Sequence, residues 1–199
     1  MIVAVSKQQS VEQIAAAHRA GQIHFGESYV QEALPKMDLL KELPIVWHYV
    51  GPVQANKTRP IAERFQWVHS VDRARIAERL SAQRPYHAPP LNVLLQVNLA
   101  GEPQKAGAPR EQVAELATLA RTLPRLALRG LMGIPPADAS REDTALYFEG
   151  LRALTRELNR SGVVTDTLSI GMSGDFETAI ACGSTCVRIG TAIFGPRGA

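Results

Sequence analysis

Along the 199 residues, short apolar runs rich in β-branched side chains alternate with longer stretches whose apolar positions recur every three to four residues. The runs are "IVAVS" (2–6), "IHFG" (23–26), "IVWHYVG" (45–51), "WVHSV" (67–71), "NVLLQVN" (92–98), "LALRGLMGI" (126–134), "DTLSIGM" (166–172) and "TCVRIG" (185–190). They read as eight strands. Between them, Ser10 and Gln13 form a capping box that opens a helix carrying Val11, Ile14, Ala15 and His18 on one face and closed by Gly21. Asp72 is expected to cap "RARIAERLSAQR", and Pro109 suits the first turn of "REQVAELATLARTL". Phe148, Leu151, Leu154 and Leu158 mark a helix over 141–160, and Ser173 is expected to cap "GDFETAIAC" up to Gly183. Residues 28–43 are helical with a kink or break expected at Pro35, and 54–65 give the weakest pattern.

Strand and helix alternate throughout with no linker or low-complexity tract, which requires parallel strands joined by crossover helices. Eight units in a chain of this length point to a single-domain (β/α)8 TIM-type barrel spanning 1–199. A dinucleotide-binding sheet lacks its sign, since no G-x-G-x-x-G follows the first strand.

Composition narrows the partners. The formal charge is +3 and no basic block with interleaved aromatics occurs, so nothing supports nucleic-acid binding. No apolar run approaches the roughly 20 residues of a membrane-spanning helix, and the apolar start is too short for a signal peptide, so a cytoplasmic setting is expected. Cys182 and Cys186, in "CGSTC", do not have zinc spacing and read as buried small hydrophobes; the five histidines are scattered.

In such barrels chemistry sits at the C-terminal ends of the strands, with phosphate often held after strands seven and eight. Lys7 follows the first strand, on the face of Val3 and Val5 by alternation. After the seventh strand comes "GMSGDFE", where a helix N-terminus suits an anion; after the eighth comes "RIGTAIFG", where Gly190 permits close approach and Thr191 adds an N–H and a hydroxyl. Arg188, inside the barrel, either pairs with a carboxylate such as Glu27 or donates to a ligand across from Lys7. An amine able to form a Schiff base, a phosphate cradle and a donor aimed at a ring nitrogen describe a site for pyridoxal 5′-phosphate (PLP).

The stretches "AVSK" (4–7), "FGESYVQE" (25–32), "WHYVGPVQANK" (47–57), "SVD" (70–72), "LQVN" (95–98), "KAG" (105–107), "GLMGI" (130–134), "GMSGDFETAI" (171–180) and "GSTCVRIGTAIFG" (183–195) occur in that order. With them the sequence resembles the pyridoxal phosphate homeostasis protein family (YggS/PROSC-like), itself similar to the barrel domain of alanine racemase. The resemblance implies that Lys7 carries the PLP aldimine, that Met172, Ser173, Gly190 and Thr191 surround the phosphate, and that Arg188 faces the pyridine nitrogen. It implies a monomeric PLP carrier or regulator of vitamin B6 balance, without an established reaction, that hands PLP to apo-enzymes. Three departures stand out: Ser28 replaces the usual asparagine, Gln9 replaces a second lysine, and the family's helix before strand one is missing. That last departure predicts an uncovered seam of Ile2, Ala4, Val187 and Ile189, and self-association through it. Trp47 and His48 read as a packed aromatic and a hydrogen-bonded histidine, Asp175 and Glu177 as helix-dipole partners, and Lys105 equally as a solvated charge or a ligand contact.

Two other activities use the same residues. A PLP-dependent amino-acid racemase needs a second acid–base group on the far face of the cofactor, which alanine racemases take from an additional β-domain. A Schiff-base aldolase acting on a sugar phosphate would use the same lysine and cradle without a chromophore.

Overall fold

A computed structural model of the protein describes residues 1–101 and 106–196. Strands β1 (Ile2–Val5), β2 (His24–Glu27), β3 (Val46–Tyr49), β4 (Trp67–Val71) and β5 (Leu91–Asn98) are followed by a two-residue strand, β6 (Ala108–Pro109), lying beside β5. Then come β7 (Leu126–Met132), β8 (Thr167–Ser169) and β9 (Val187–Ile189). The sheet order is β8-β7-β5-β4-β3-β2-β1-β9, with parallel pairs throughout. Its two ends meet at the bridge pair Ser169–Cys186, where the Ile170 N–H donates to the Cys186 carbonyl (3.2 Å) and the Cys186 N–H to that of Leu168 (3.2 Å). The eight expected strands are all present, and they close into the (β/α)8 barrel.

Helices α1 (Val11–Arg19), α2 (Val30–Leu39), α3 (Thr58–Arg64), α4 (Ala74–Gln83), α5 (Val113–Thr122), α6 (Arg141–Arg160), α7 (Phe176–Ala181) and α8 (Thr191–Phe194) complete the alternation. The capping box at Ser10 forms as expected, with the Gln13 N–H on Ser10 Oγ and the Ser10 N–H on Gln13 Oε1. Other helix starts differ. Asp72 does not cap α4; its carboxylate pairs with Arg73, which takes the N-cap position itself. Ser173 does not cap α7 either, because that helix begins only after Asp175. Helix α2 runs unbroken through Pro35, where one missing N–H is outweighed by the anchoring of Val30, Ala33, Lys36 and Met37 in the interior.

Side-chain alternation splits the core into two regions. Ala4, Phe25, Trp47, Tyr49, Val68 and Val93 face outward and pack with Ile14, Ile61, Ile76 and Phe148 of the helices. Inside the barrel, Trp67, Leu94 and Met132 form a separate cluster. Trp47 is the packed aromatic expected, its ring 6.0 Å from Phe25, and both cysteines are buried. The uncovered seam is not found as expected: of its four residues Ala4, Val187 and Ile189 are buried and Ile2 is 51% exposed, with Met1 exposed beside it. Ala4 lies in the same cluster as Ile14 of α1, and α7 lies against β9.

Gly51 shows how tightly the top of the barrel is drawn together. A Cβ there would stand 2.2 Å from the Ser28 carbonyl oxygen, and Ser70 Oγ donates to the Gly51 carbonyl (2.5 Å). Gly51→Ala should therefore force the ends of β2 and β3 apart and cost about 1–3 kcal/mol. The urea midpoint should fall at constant m-value; an unchanged midpoint would contradict this close approach.

Candidate functional site

Every residue nominated for the site by the sequence, except Lys105, lies in the described part of the chain, and Lys105 falls outside the described residues. Lys7 lies half-buried in a turn two residues past β1. The turn is held from the outer face of the barrel. Lys36 of α2 is buried and donates from Nζ to the Ser6 carbonyl (2.9 Å), to Glu27 Oε1 (3.0 Å) and to Glu32 Oε1 (2.5 Å). Ser6 Oγ donates to Glu27 Oε1 (2.7 Å), and the Gln8 N–H donates to Glu32 Oε1 (2.5 Å). Gln8 has φ of 63°, the only non-glycine residue with positive φ among those described. A left-handed L-residue costs roughly 1–2 kcal/mol, and Glu32 and Lys36 hold the turn in that form. Burial pushes the Glu27 carboxyl up, against the hydrogen bonds from Ser6 and Lys36. The acidic partner considered for Arg188 is therefore committed elsewhere.

The last two turns come together beside this one. Ser173 Oγ accepts the N–H of Gly190 (3.2 Å) and of Ala192 (3.4 Å), so its hydroxyl bridges two turns instead of capping a helix. A Cβ at Gly190 would lie 3.6 Å from the Val5 carbonyl oxygen, which sets this turn against the end of β1, two residues short of Lys7. Thr191 and Met172 are exposed and Gly190 half-buried, at the same mouth. Two N–H groups converging on one oxygen form an arrangement that an anionic oxygen can take over. At Gly174 an added Cβ would meet nothing within 4 Å, so there is room beside them. These residues fit a phosphorylated ligand.

Arg188 lies inside the barrel and is 5% exposed. One guanidinium nitrogen, Nη1, donates to both the carbonyl (2.7 Å) and the Oγ (2.7 Å) of Ser169, and Nη2 donates to the Gly133 carbonyl (3.1 Å). No carboxylate among the described residues forms an ion pair with it. Three histidines that look scattered along the chain continue this contact. Ser169 Oγ lies 3.0 Å from His69 Nδ1, His69 Nε2 lies 2.9 Å from His48 Nδ1, and His48 Nε2 lies 3.0 Å from His24 Nδ1. His69 is held down to about 3 by burial and by the nearby Arg188 charge. Burial first, then its two histidine neighbours, takes His48 well below the usual range. No group of His, Cys, Asp and Glu among the described residues has metal-site geometry.

The architecture is that of (β/α)8 barrels with a lysine after the first strand and glycine turns after the last. The chain belongs to the alanine racemase N-terminal domain family, whose model matches residues 1–198. Among curated relatives, the pyridoxal phosphate homeostasis protein of Pseudomonas aeruginosa is 54% identical over 196 residues, covering 98% of this chain and 84% of the relative. That of Escherichia coli is 47% identical over 206 residues, covering 98% and 85%. PipY of Synechococcus elongatus, solved without PLP, superposes with a TM-score of 0.93 at 37% identity over 98% of this chain and 92% of its own. The same protein with PLP bound gives 0.91 at 36% identity and the same coverage. Alanine racemase of Clostridium difficile, at 14% identity and a TM-score of 0.79, covers 100% of this chain and 53% of its own and shares the fold alone.

The buried histidines set a pH dependence. Each stays neutral in the fold but takes up a proton near 6.5 when unfolded, so the unfolded state binds more protons as pH falls. The stability they contribute is complete above pH 6.5 and is lost below it, down to about 3 for His69. Between pH 7 and 5, where carboxyl groups stay ionised in the unfolded chain, stability should drop by up to about 1.4 kcal/mol per pH unit for each such histidine. Thermal unfolding across this interval checks it: the raised carboxyls of Glu27 and Asp72 contribute with the opposite sign and offset part of the drop, so a melting temperature that rises toward pH 5 would mean that the histidines are not held neutral.

Proposed function

We propose that the protein binds PLP at the barrel mouth and serves intracellular PLP (vitamin B6) homeostasis, with Lys7 as the covalent attachment point. Met172, Ser173, Gly190 and Thr191 hold the phosphate, and Arg188 is the ring-nitrogen donor. The observation that carries this reading is the convergence of the Gly190 and Ala192 N–H groups on Ser173 Oγ, in a turn set against the end of β1. The names of the relatives and the PLP-bound form of PipY support it. PLP supplies an aldehyde that condenses with a primary amine and a ring that withdraws electrons.

The chain's own residues then set the behaviour. The Lys36–Glu27–Glu32 network fixes the turn that bears Lys7. The Arg188 guanidinium, always charged, opposes a proton on the ring nitrogen and so weakens electron withdrawal. Such a site favours retention over turnover, and the protein is read as a carrier that passes PLP to apo-enzymes, not as a racemase.

The purified protein should show visible absorbance from bound PLP, and borohydride should fix the adduct on the peptide containing Lys7. Lys7→Ala should abolish the adduct and keep the fold, because Lys7 lies past the strand and outside the packed layers. An adduct that persists in this variant, for example on Lys57, would place the attachment elsewhere.

Arg188→Gln removes the positive charge beside the ring. It should shift the absorbance of bound PLP and speed its release by an order of magnitude or more, since a charge-assisted contact contributes about 1.5–3 kcal/mol. A variant with unchanged spectrum and release would make Arg188 structural only.

A further inference from the structure

Arg188 is a buried cation with no carboxylate in ion-pair contact among the described residues; Asp175 acts on it only through space, and its direct contacts are to neutral groups. Three of the contacts are plain: the Ser169 carbonyl, Ser169 Oγ and the Gly133 carbonyl. The fourth contribution comes from the order of protons behind Ser169. A guanidinium only donates, so Ser169 Oγ accepts from Nη1 and its own hydroxyl hydrogen is free to turn to His69 Nδ1 at 3.0 Å. His69 then carries its proton on Nε2 and donates to His48 Nδ1 at 2.9 Å. His48 in turn carries its proton on Nε2 and donates to His24 Nδ1 at 3.0 Å. In this direction every inner nitrogen is satisfied with all three rings neutral.

The reverse order fails on two counts. With His69 Nδ1–H donating to Ser169, the serine oxygen would receive two donors, and its own hydrogen would be left to the thiol of buried Cys186, a weak acceptor. Each N–H dipole would also point its positive end at the guanidinium. In the forward order every dipole turns its lone-pair end toward Arg188, so the chain solvates the cation across the barrel. Stacking of His48 on Trp67, with centroids 5.3 Å apart and planes at 14°, fixes the middle ring. The Arg188 cation at the inner end opposes protonation of His69.

We infer that Ser169, His69, His48 and His24 form one directionally ordered hydrogen-bond chain that stabilises the Arg188 charge and keeps it aimed at the mouth, so that Ser169 and His69 are positioning residues for the bound ring. Its last step rests on the PLP reading given above; the order of the chain does not.

The first measurement uses the ligand-free protein. Nitrogen-15 NMR of the imidazoles at pH 7 should place His24, His48 and His69 all in the Nε2–H form. A population of the Nδ1–H form or of imidazolium at His48 or His69 would overturn the proposal, whatever PLP does. The second measurement uses PLP itself. Ser169→Ala removes the hydroxyl but leaves the carbonyl; it should weaken PLP retention about tenfold or more and release His69 into a mixture of both tautomers, and Ser169→Thr should restore both. A Ser169→Ala protein with wild-type tautomers and wild-type retention would also overturn it. Ordered histidines in a protein that forms no adduct at Lys7 would leave the chain standing and refute only the cofactor assignment.

Discussion

The structure turns on how Arg188 is accommodated. Strands β8 and β9 meet at the bridge pair Ser169–Cys186, where backbone N–H groups of Thr185, Cys186, Ile170 and Arg188 already join the two ends of the sheet. Arg188 reaches from β9 across β8 to the end of β7, donating to Ser169 twice and to Gly133 once. The side chain that reinforces the closure is thus the one that brings a fixed positive charge under the mouth. A carboxylate partner would have closed the barrel equally well while cancelling that charge. Neutral acceptors close it and leave the charge available.

The lysine turn is held by a different device, and separation of the two matters. Lys36, Glu27 and Glu32 occupy the outer face at the top of β1 and β2, where Lys36 Nζ has three acceptors within hydrogen-bonding distance. Glu27 and Glu32 are therefore engaged outside the sheet, on the far side of the backbone from Arg188. Alternation along β1 and β2 enforces this: Ser6 and Glu27 point outward, while a Cβ on Gly26 would meet Val3 and Val5 inside.

How much of this could be read from the sequence depends on the range of the signal. Strands, barrel and mouth followed from local patterns, as did the capping box at Ser10. Ser173 stands at the mouth for a reason its local pattern does not show, because its hydroxyl serves the next strand's turn and not its own helix. Lys36 looked like any solvated lysine near the end of a helix; only tertiary packing makes it a buried anchor. His24, His48 and His69 seemed scattered, yet their separations of 24 and 21 residues are each about one strand–helix unit. A search for like residues at inward positions of successive strands would have aligned them, since a barrel converts unit-length spacing into lateral contact.

That conversion also explains why a polar chain is tolerated in a core this small. An isolated buried imidazole must find two partners, and each one found on a neighbouring strand presents the same demand to the next. A closed ring of strands allows the demand to be passed around until it meets a group that can only donate. Arg188 is that group, and the half-buried His24 at the other end faces a less enclosed environment. The same geometry means that replacing His48 or His69 by an apolar residue leaves a polar atom without its partner on each side. The histidine tautomers are consequently fixed by the arginine's inability to accept a hydrogen bond, and the arginine's aim by the acceptor they keep turned toward it.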